Sequence, residues 1–151
     1  MPSAPNGPRV RIVADTNTLI SGSFWSGNPG RLLEAVKAGK LTLVQTPQMW
    51  AEFVEVLNRP KFLARLRLLG LTPTMLADGL RKYVVWTSES RIPLPPELRD
   101  PKDLHVLAAA VGARADAIVT GDEDLISLKS FQDIPIIKAR EALEKLGLPA
   151  D

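Results

Sequence analysis

The chain has 151 residues, 45% hydrophobic and 24% charged, a balance that suits one globular domain burying about two thirds of its unfolded surface. There is no cysteine and one histidine, His105, so disulfides and thiolate zinc sites are excluded, and a histidine-based triad would rest on that residue alone. The net charge of +2 and sequence pI of about 9.1 are compatible with a nucleic-acid partner, and no apolar run approaches the roughly 18 residues of a membrane-spanning helix.

The opening "MPSAPNGPR" lacks the apolar core of a secretory signal. It reads as a disordered tail over residues 1–8, ahead of one domain over 9–148, and a cytoplasmic location follows by default. "VRIVA" (10–14) is nearly continuous apolar sequence, as expected of a strand buried on both faces. It stops at Asp15-Thr16-Asn17, where a carboxylate is costly unless something compensates it. "SGSFWSGNPG" (21–30) reads as a loop carrying Trp25, placed either to stack on a base or to pack on the protein. A helical pattern, "GRLLEAVKAG", and a second strand, "LTLVQ" (41–45), follow.

Three helix starts are marked by a capping side chain before proline: Thr46-Pro47, Thr72-Pro73 and Asp100-Pro101. In the helix from Pro47 to Asn58, a 100° period gathers Met49, Trp50, Phe53, Val54, Val56 and Leu57 on one face. Glu55 falls opposite them, in water, whereas Glu52 lies at the edge of that face, within reach of a cleft beside the core. "SESRIPLPPELR" (88–99) is a Pro-rich loop rather than a domain boundary. In the helix after Asp100, the buried stripe reads as Leu104, Leu107, Ala108 and Val111, with Lys102 pointing away and His105 on the solvent flank. Asp103 borders the stripe, either as a capping-box acid at N3 or as a functional group.

"AIVT" (117–120) and "IPII" (134–137) supply further strands, and "AREALEKLG" a final helix. The alternation predicts a parallel α/β sheet of about four or five strands covered by helices on both faces. Ligands of such sheets bind beyond the carboxyl ends of the strands. Asp122, two residues after the strand ending at Thr120, repeats the placement of Asp15, and the two share a crevice if their strands are neighbours. Converging acids repel one another and raise each other's pKa unless a cation neutralises them. All-oxygen ligation favours Mg²⁺ or Mn²⁺ over zinc, and such ions serve reactions at phosphates. The chain has neither a G-x-S-x-G elbow nor a phosphate-binding G-x-x-x-x-G-K-[ST] loop.

"VADTNTLISG", "WAEFVEVLNRPKF", "RDPKDLHVLAAA" and "IVTGDEDL", in that order, resemble the motifs of PIN-domain proteins, over about residues 10 to 146. The likeness is closest to bacterial PIN proteins of toxin–antitoxin systems, similar to the VapC ribonucleases. The resemblance implies a three-layer α/β/α domain with a central parallel sheet and an acidic metal site. Its acids fall on Asp15, Glu52, Asp103 and Asp122, with Asp100 and Asp124 as auxiliary candidates. Its polar partners fall on Asn17 and Thr120, which would hydrogen-bond a water, a carboxylate or the scissile phosphate. The implied reaction is hydrolysis of RNA phosphodiesters, with Asp15, Asp103 and Asp122 holding one or two Mg²⁺ or Mn²⁺ ions and Glu52 completing the shell or orienting water.

For the RNA substrate, "NRPKFLARLRLLG" supplies Arg59, Lys61, Arg65 and Arg67, as a basic rim or as a solvated face with snorkelling arginines. The resemblance also implies a homodimer and, for a toxin, a separately encoded antitoxin that blocks the cleft. Two rivals stand beside it: a non-catalytic PIN module that binds RNA or protein, and a different metal-dependent phosphohydrolase of Toprim-like type.

Overall fold

A computed structural model describes residues 9–93, 95, 96, 98 and 100–151; the predicted tail over 1–8 lies outside them. In chain order the elements are β1 (Arg11–Ala14), α1 (Thr16–Phe24), α2 (Asn28–Lys37), β2 (Thr42–Gln45), α3 (Pro47–Leu57), α4 (Pro60–Leu68) and α5 (Pro73–Arg81). They continue with β3 (Val84–Trp86), α6 (Pro101–Ala113), β4 (Ala117–Val119), α7 (Glu123–Ile126), β5 (Ser130–Phe131), β6 (Ile134–Ile137) and α8 (Ala139–Lys145).

The strands form one sheet in the order β3-β2-β1-β4-β6-β5. All pairs are parallel except β5 with β6. Alternate residues of each strand serve opposite layers. Ile12, Ala14, Leu43, Val119 and Ile137 join the core shared with α1 to α5 and α8. Val13, Val44, Ile118 and Ile136 join the core under α6, with Val106, Leu107, Ala110 and Ala113. This is the three-layer α/β/α arrangement, mostly parallel as expected, with β3 and the two-residue β5 added at its edges.

Both additions escape periodicity: β5 has two residues, and β3 has three, of which Val85 and Trp86 stay exposed at the sheet edge. A larger correction concerns residues 21–30. Ser21–Phe24 complete α1 and Asn28–Gly30 open α2, leaving a connection of Trp25–Gly27 instead of a ten-residue loop. Glycine and serine conceal the helix because they are poor helix formers. Gly22 is there for packing: a Cβ on it would lie 2.7 Å from the Leu33 side chain and the Pro29 carbonyl oxygen, where α2 crosses.

The start of the Pro-rich stretch, Ser88–Ser90, lies on α6. Ser90 N–H donates to the Ala108 carbonyl (3.0 Å), and a Cβ on Gly112 would fall 2.0 Å from the Ser88 carbonyl oxygen. No helix among the described residues is long and apolar enough to cross a membrane.

Candidate active site

Three acids sit where strands or loops hand over to helices, and each caps the helix it precedes. Asp15 caps α1, Asp100 caps α6 and Asp122 caps α7. A carboxylate at an N-cap accepts from an otherwise orphaned N–H and meets the positive end of the helix. Asp15 and Asp122 follow adjacent parallel strands, β1 and β4, with Ala14 opposite Val119.

Asp15 is 8% exposed and held at both oxygens. Its Oδ1 accepts from Thr18 N–H (2.9 Å) and its Oδ2 from the Thr120 hydroxyl. Burial pushes its carboxyl above the usual aspartate range, and the hydrogen bonds from Thr120 and Thr18 pull the other way. Thr120, 1% exposed, also accepts from Asp122 N–H at 2.9 Å. Its proton is therefore committed to Asp15, so of the partners expected for it the carboxylate is the one observed. Thr120 ties together the two acid-bearing turns.

Asp103 is placed differently from the sequence reading. The buried face of α6 runs through Val106, Leu107, Ala110 and Ala113, while Leu104 and Val111 are only half-buried. Asp103 falls in the middle of that face, 6% exposed, rather than on its border. Its Oδ2 is buried without a hydrogen-bond partner. Burial, followed by the charges of Asp122, Asp100, Asp124 and Asp15, pushes its carboxyl up to about 6. These charges act on Asp103 together, so the structure gathers Asp15, Asp100, Asp103, Asp122 and Asp124 at one end of the sheet. Asp124 is exposed, and its N–H donates to Asp122 Oδ1 at 2.9 Å. The gathering is loose: among the described residues no three acids or histidines stand close enough together to hold a metal ion.

Glu52 is half-buried on α3, as the helix geometry predicts, with Glu55 exposed. Its Oε2 accepts from the Thr16 hydroxyl, and Lys102 Nζ stands 3.7 Å from its Oε1. Lys102 was expected to point away; α3 and α6 approach closely enough for it to bridge them. Asn17 is exposed at the start of α1, and His105 is exposed and 2.7 Å from Glu89.

Of the four residues of the expected basic rim on α4, Arg59 and Arg65 have partners elsewhere. Arg59 binds Glu55 through two nitrogens, at 3.0 and 3.1 Å. Arg65 is half-buried, donates to the Phe24 carbonyl at 3.1 Å and lies 4.9 Å from the Trp25 ring centre. Phe24 ends a nine-residue helix that Asp15 begins, so Arg65 sits about 13 Å along α1 from the acids. Trp25 packs with Arg65 and Phe24 while remaining 48% exposed. Lys61 and Arg67 are exposed on the same helix, with Lys61 Nζ 4.9 Å from the Phe62 ring centre.

The sequence reading passed over Thr16, Thr18 and Lys102. The first two were detectable, since in "DTNT" the aspartate is an N-cap and Thr18 is the N3 residue whose N–H it accepts.

No curated protein matches the chain. The sequence model of the PIN domain family matches residues 11–124, which takes in β1, the Asp15 turn, the helices bearing Glu52 and Asp103, and the turn bearing Asp122 and Asp124. PIN domains are generally nucleases that use divalent metals. The order of acids along this sheet has its explanation there: the chain belongs to the PIN domain family.

Proposed function

We propose that the protein is a metal-dependent endoribonuclease that hydrolyses RNA phosphodiesters. The observation that carries this reading is Asp103: a buried carboxylate with one unpartnered oxygen, facing the charges of Asp15, Asp100, Asp122 and Asp124. A buried acid without a donor is a standing cost that folding alone does not explain. The donor set is all oxygen and suits Mg²⁺ or Mn²⁺. Mg²⁺ keeps several waters and needs only one or two carboxylates, so a loosely spaced cluster fits it without a closed protein cage.

Asp15, Asp103 and Asp122 would hold one or two such ions, directly or through water, with Asp100 and Asp124 as auxiliary ligands. When bound, the cation supplies a nucleophilic water at neutral pH and neutralises charge on the attacked phosphate. Thr120 and Thr18 keep Asp15 aimed and oppose the rise that burial imposes on its carboxyl. Glu52, steadied by Thr16 and Lys102, offers a carboxylate at the rim to orient a water or accept its proton. Asn17, exposed two residues after Asp15, offers an amide to the substrate phosphate.

The finer reading is a toxin of a toxin–antitoxin pair, a homodimer silenced by a separate antitoxin; it rests on the order of the motifs and on the likeness to VapC-type ribonucleases. Co-expression with the product of a short neighbouring gene, scored by growth rescue, tests it. One observation favours a non-catalytic RNA- or protein-binding PIN module instead: among the described residues no three acids or histidines stand close enough together to form a closed protein cage for an ion. The family match leaves the Toprim-like alternative without support.

RNA cleavage in Mn²⁺ by wild type, Asp15→Asn and Asp122→Asn decides between enzyme and module. Cleavage abolished by EDTA and by both substitutions sustains the enzyme. Equal cleavage by all three proteins identifies a contaminant and removes the support.

A further inference from the structure

Past the acids, the last parallel strand delivers two cations. Thr120 N–H donates to the Ile137 carbonyl at 3.0 Å, and Val119 stands opposite Ile137 in the sheet. Lys138 therefore leaves β6 beside Thr120 and Gly121, just as Asp15 leaves β1. Lys138 and Arg140 line one side of a hollow of about 370 Å³, and Asn17, Ser21, Thr120 and Gly121 line the other. That volume lies within the range of small-ligand clefts, about 300–1,000 Å³. Two lining residues belong to the acid cluster's own framework, since Thr120 bonds Asp15 and Asn17 follows it by two positions.

Among the described residues no carboxylate lines the hollow. The acids that pair with its cations, Glu123 with Lys138 (3.0 Å) and Glu144 with Arg140 (3.4 Å), stand outside it, and all four side chains are more than half exposed. Exposed pairs of this kind contribute little and exchange readily for a phosphate. The hollow on the other flank of β1 is different: Glu52 lines it, and Lys102 is turned onto that carboxylate. The two sides of the acid cluster thus carry opposite invitations, and only the β6 side favours an anion.

We propose that this hollow holds a phosphate of a polynucleotide strand next to the phosphate being cut, with Lys138 and Arg140 as its cations and Asn17 and Ser21 as hydrogen-bonding partners. The proposal rests on the nuclease reading above and moves the nucleic-acid grip from α4 to the end of β6. It makes a polynucleotide, rather than a small phosphodiester, the favoured substrate.

The test compares wild type with Lys138→Ala/Arg140→Ala and with a charge-matched control on exposed lysines elsewhere, Lys37→Ala/Lys82→Ala. Binding of a labelled oligoribonucleotide is followed by anisotropy in EDTA across a salt series. Turnover in Mn²⁺ is followed on the same oligonucleotide and on bis(p-nitrophenyl) phosphate. The expected result for the first variant is about tenfold weaker binding and a log–log salt slope shallower by about 0.7, the contribution of one phosphate on a single strand. Its selectivity for the oligonucleotide over the small diester falls about tenfold, as loss of a flanking-phosphate contact requires. Unchanged affinity and slope, or equal losses in the control, overturn the proposal. If wild type turns over neither substrate while affinity and slope still fall in the first variant alone, the nuclease reading fails and the phosphate site stands.

Discussion

Asp15 and Asp103 are almost equally buried, at 8% and 6% exposed, yet the fold treats them in opposite ways. Asp15 has a donor at each oxygen and serves as the cap of α1. Asp103 has an oxygen with no donor and four neighbouring acids acting on it. The first carboxylate is framework and, on the proposed reading, also site. The second does nothing for the framework that an apolar residue would not do better, and its burial makes sense only with a counter-charge. A buried acid that the fold supports and one that it merely tolerates respond differently when their charge is removed.

The largest expected effects come from neutralising each in turn. Asp15→Asn and Asp103→Asn both lower RNA cleavage, by about 10²–10³-fold, a loss typical of removing one charged group from a preorganised site. Their stabilities without divalent cation diverge. Asp15→Asn sets an amide N–H against the donor of Thr18 or Thr120 and costs about 1–3 kcal/mol. Asp103→Asn relieves repulsion and gains about 1 kcal/mol, an exchange of stability for function. Thermal unfolding in EDTA reads both, at about 2–4 °C per kcal/mol for a chain of this size. Midpoints that shift in the same direction break the comparison.

A cation acts on the same asymmetry. On the proposed reading, Mn²⁺ at 100 times its dissociation constant should stabilise the wild type by about 2.7 kcal/mol and Asp103→Asn by less, measured by titration with unfolding as readout. The metal-free protein also has a characteristic pH response. Burial and the neighbouring acids push the native Asp103 carboxyl up to about 6, above the usual aspartate value of 3.8. Between these values the native state binds more protons than the unfolded one, so stability falls as pH rises through that window and levels off above it. Urea midpoints measured in EDTA across pH 4–7 should decline in wild type and decline less in Asp103→Asn. Equal slopes remove Asp103 as the cause.

How much of this could be read from the letters depends on what carried the signal. Asp15 and Asp122 were legible because a strand that ends in an acid marks a crevice in any parallel sheet, and the adjacency of β1 and β4 then unites them. Glu52 was legible from the helical period, which also set Glu55 in water. The period misled at Asp103. Leucine and valine drew the stripe toward Leu104 and Val111, while the face against the sheet is made largely of alanines, whose small size permits close packing. Where α3 comes near α6, and where α4 lies along α1, are tertiary facts, so the pairing of Lys102 and the commitment of Arg65 had no local signature. Lys138 did have one: a basic residue directly after a strand occupies the same kind of position as Asp15.

Glu52 is an intermediate case that sharpens the comparison on a smaller scale. Its two oxygens are held by unequal partners, the hydroxyl of Thr16, which is 8% exposed, and the ammonium of Lys102, whose side chain is 62% exposed. A half-buried hydrogen bond contributes about 1 kcal/mol, and an exposed ion pair at the edge of contact distance roughly 0–0.5 kcal/mol. Thr16→Val should therefore lower the unfolding midpoint by about 2–4 °C and Lys102→Ala by about 1 °C or less. Raising the salt concentration should erase the Lys102 effect while leaving that of Thr16, because screening acts on exposed charges and not on a sheltered hydroxyl. If Lys102→Ala proves the more damaging, Glu52 is held by charge rather than by α1. Its place beside Asp15 would then depend on the approach of α6, the helix that carries Asp103.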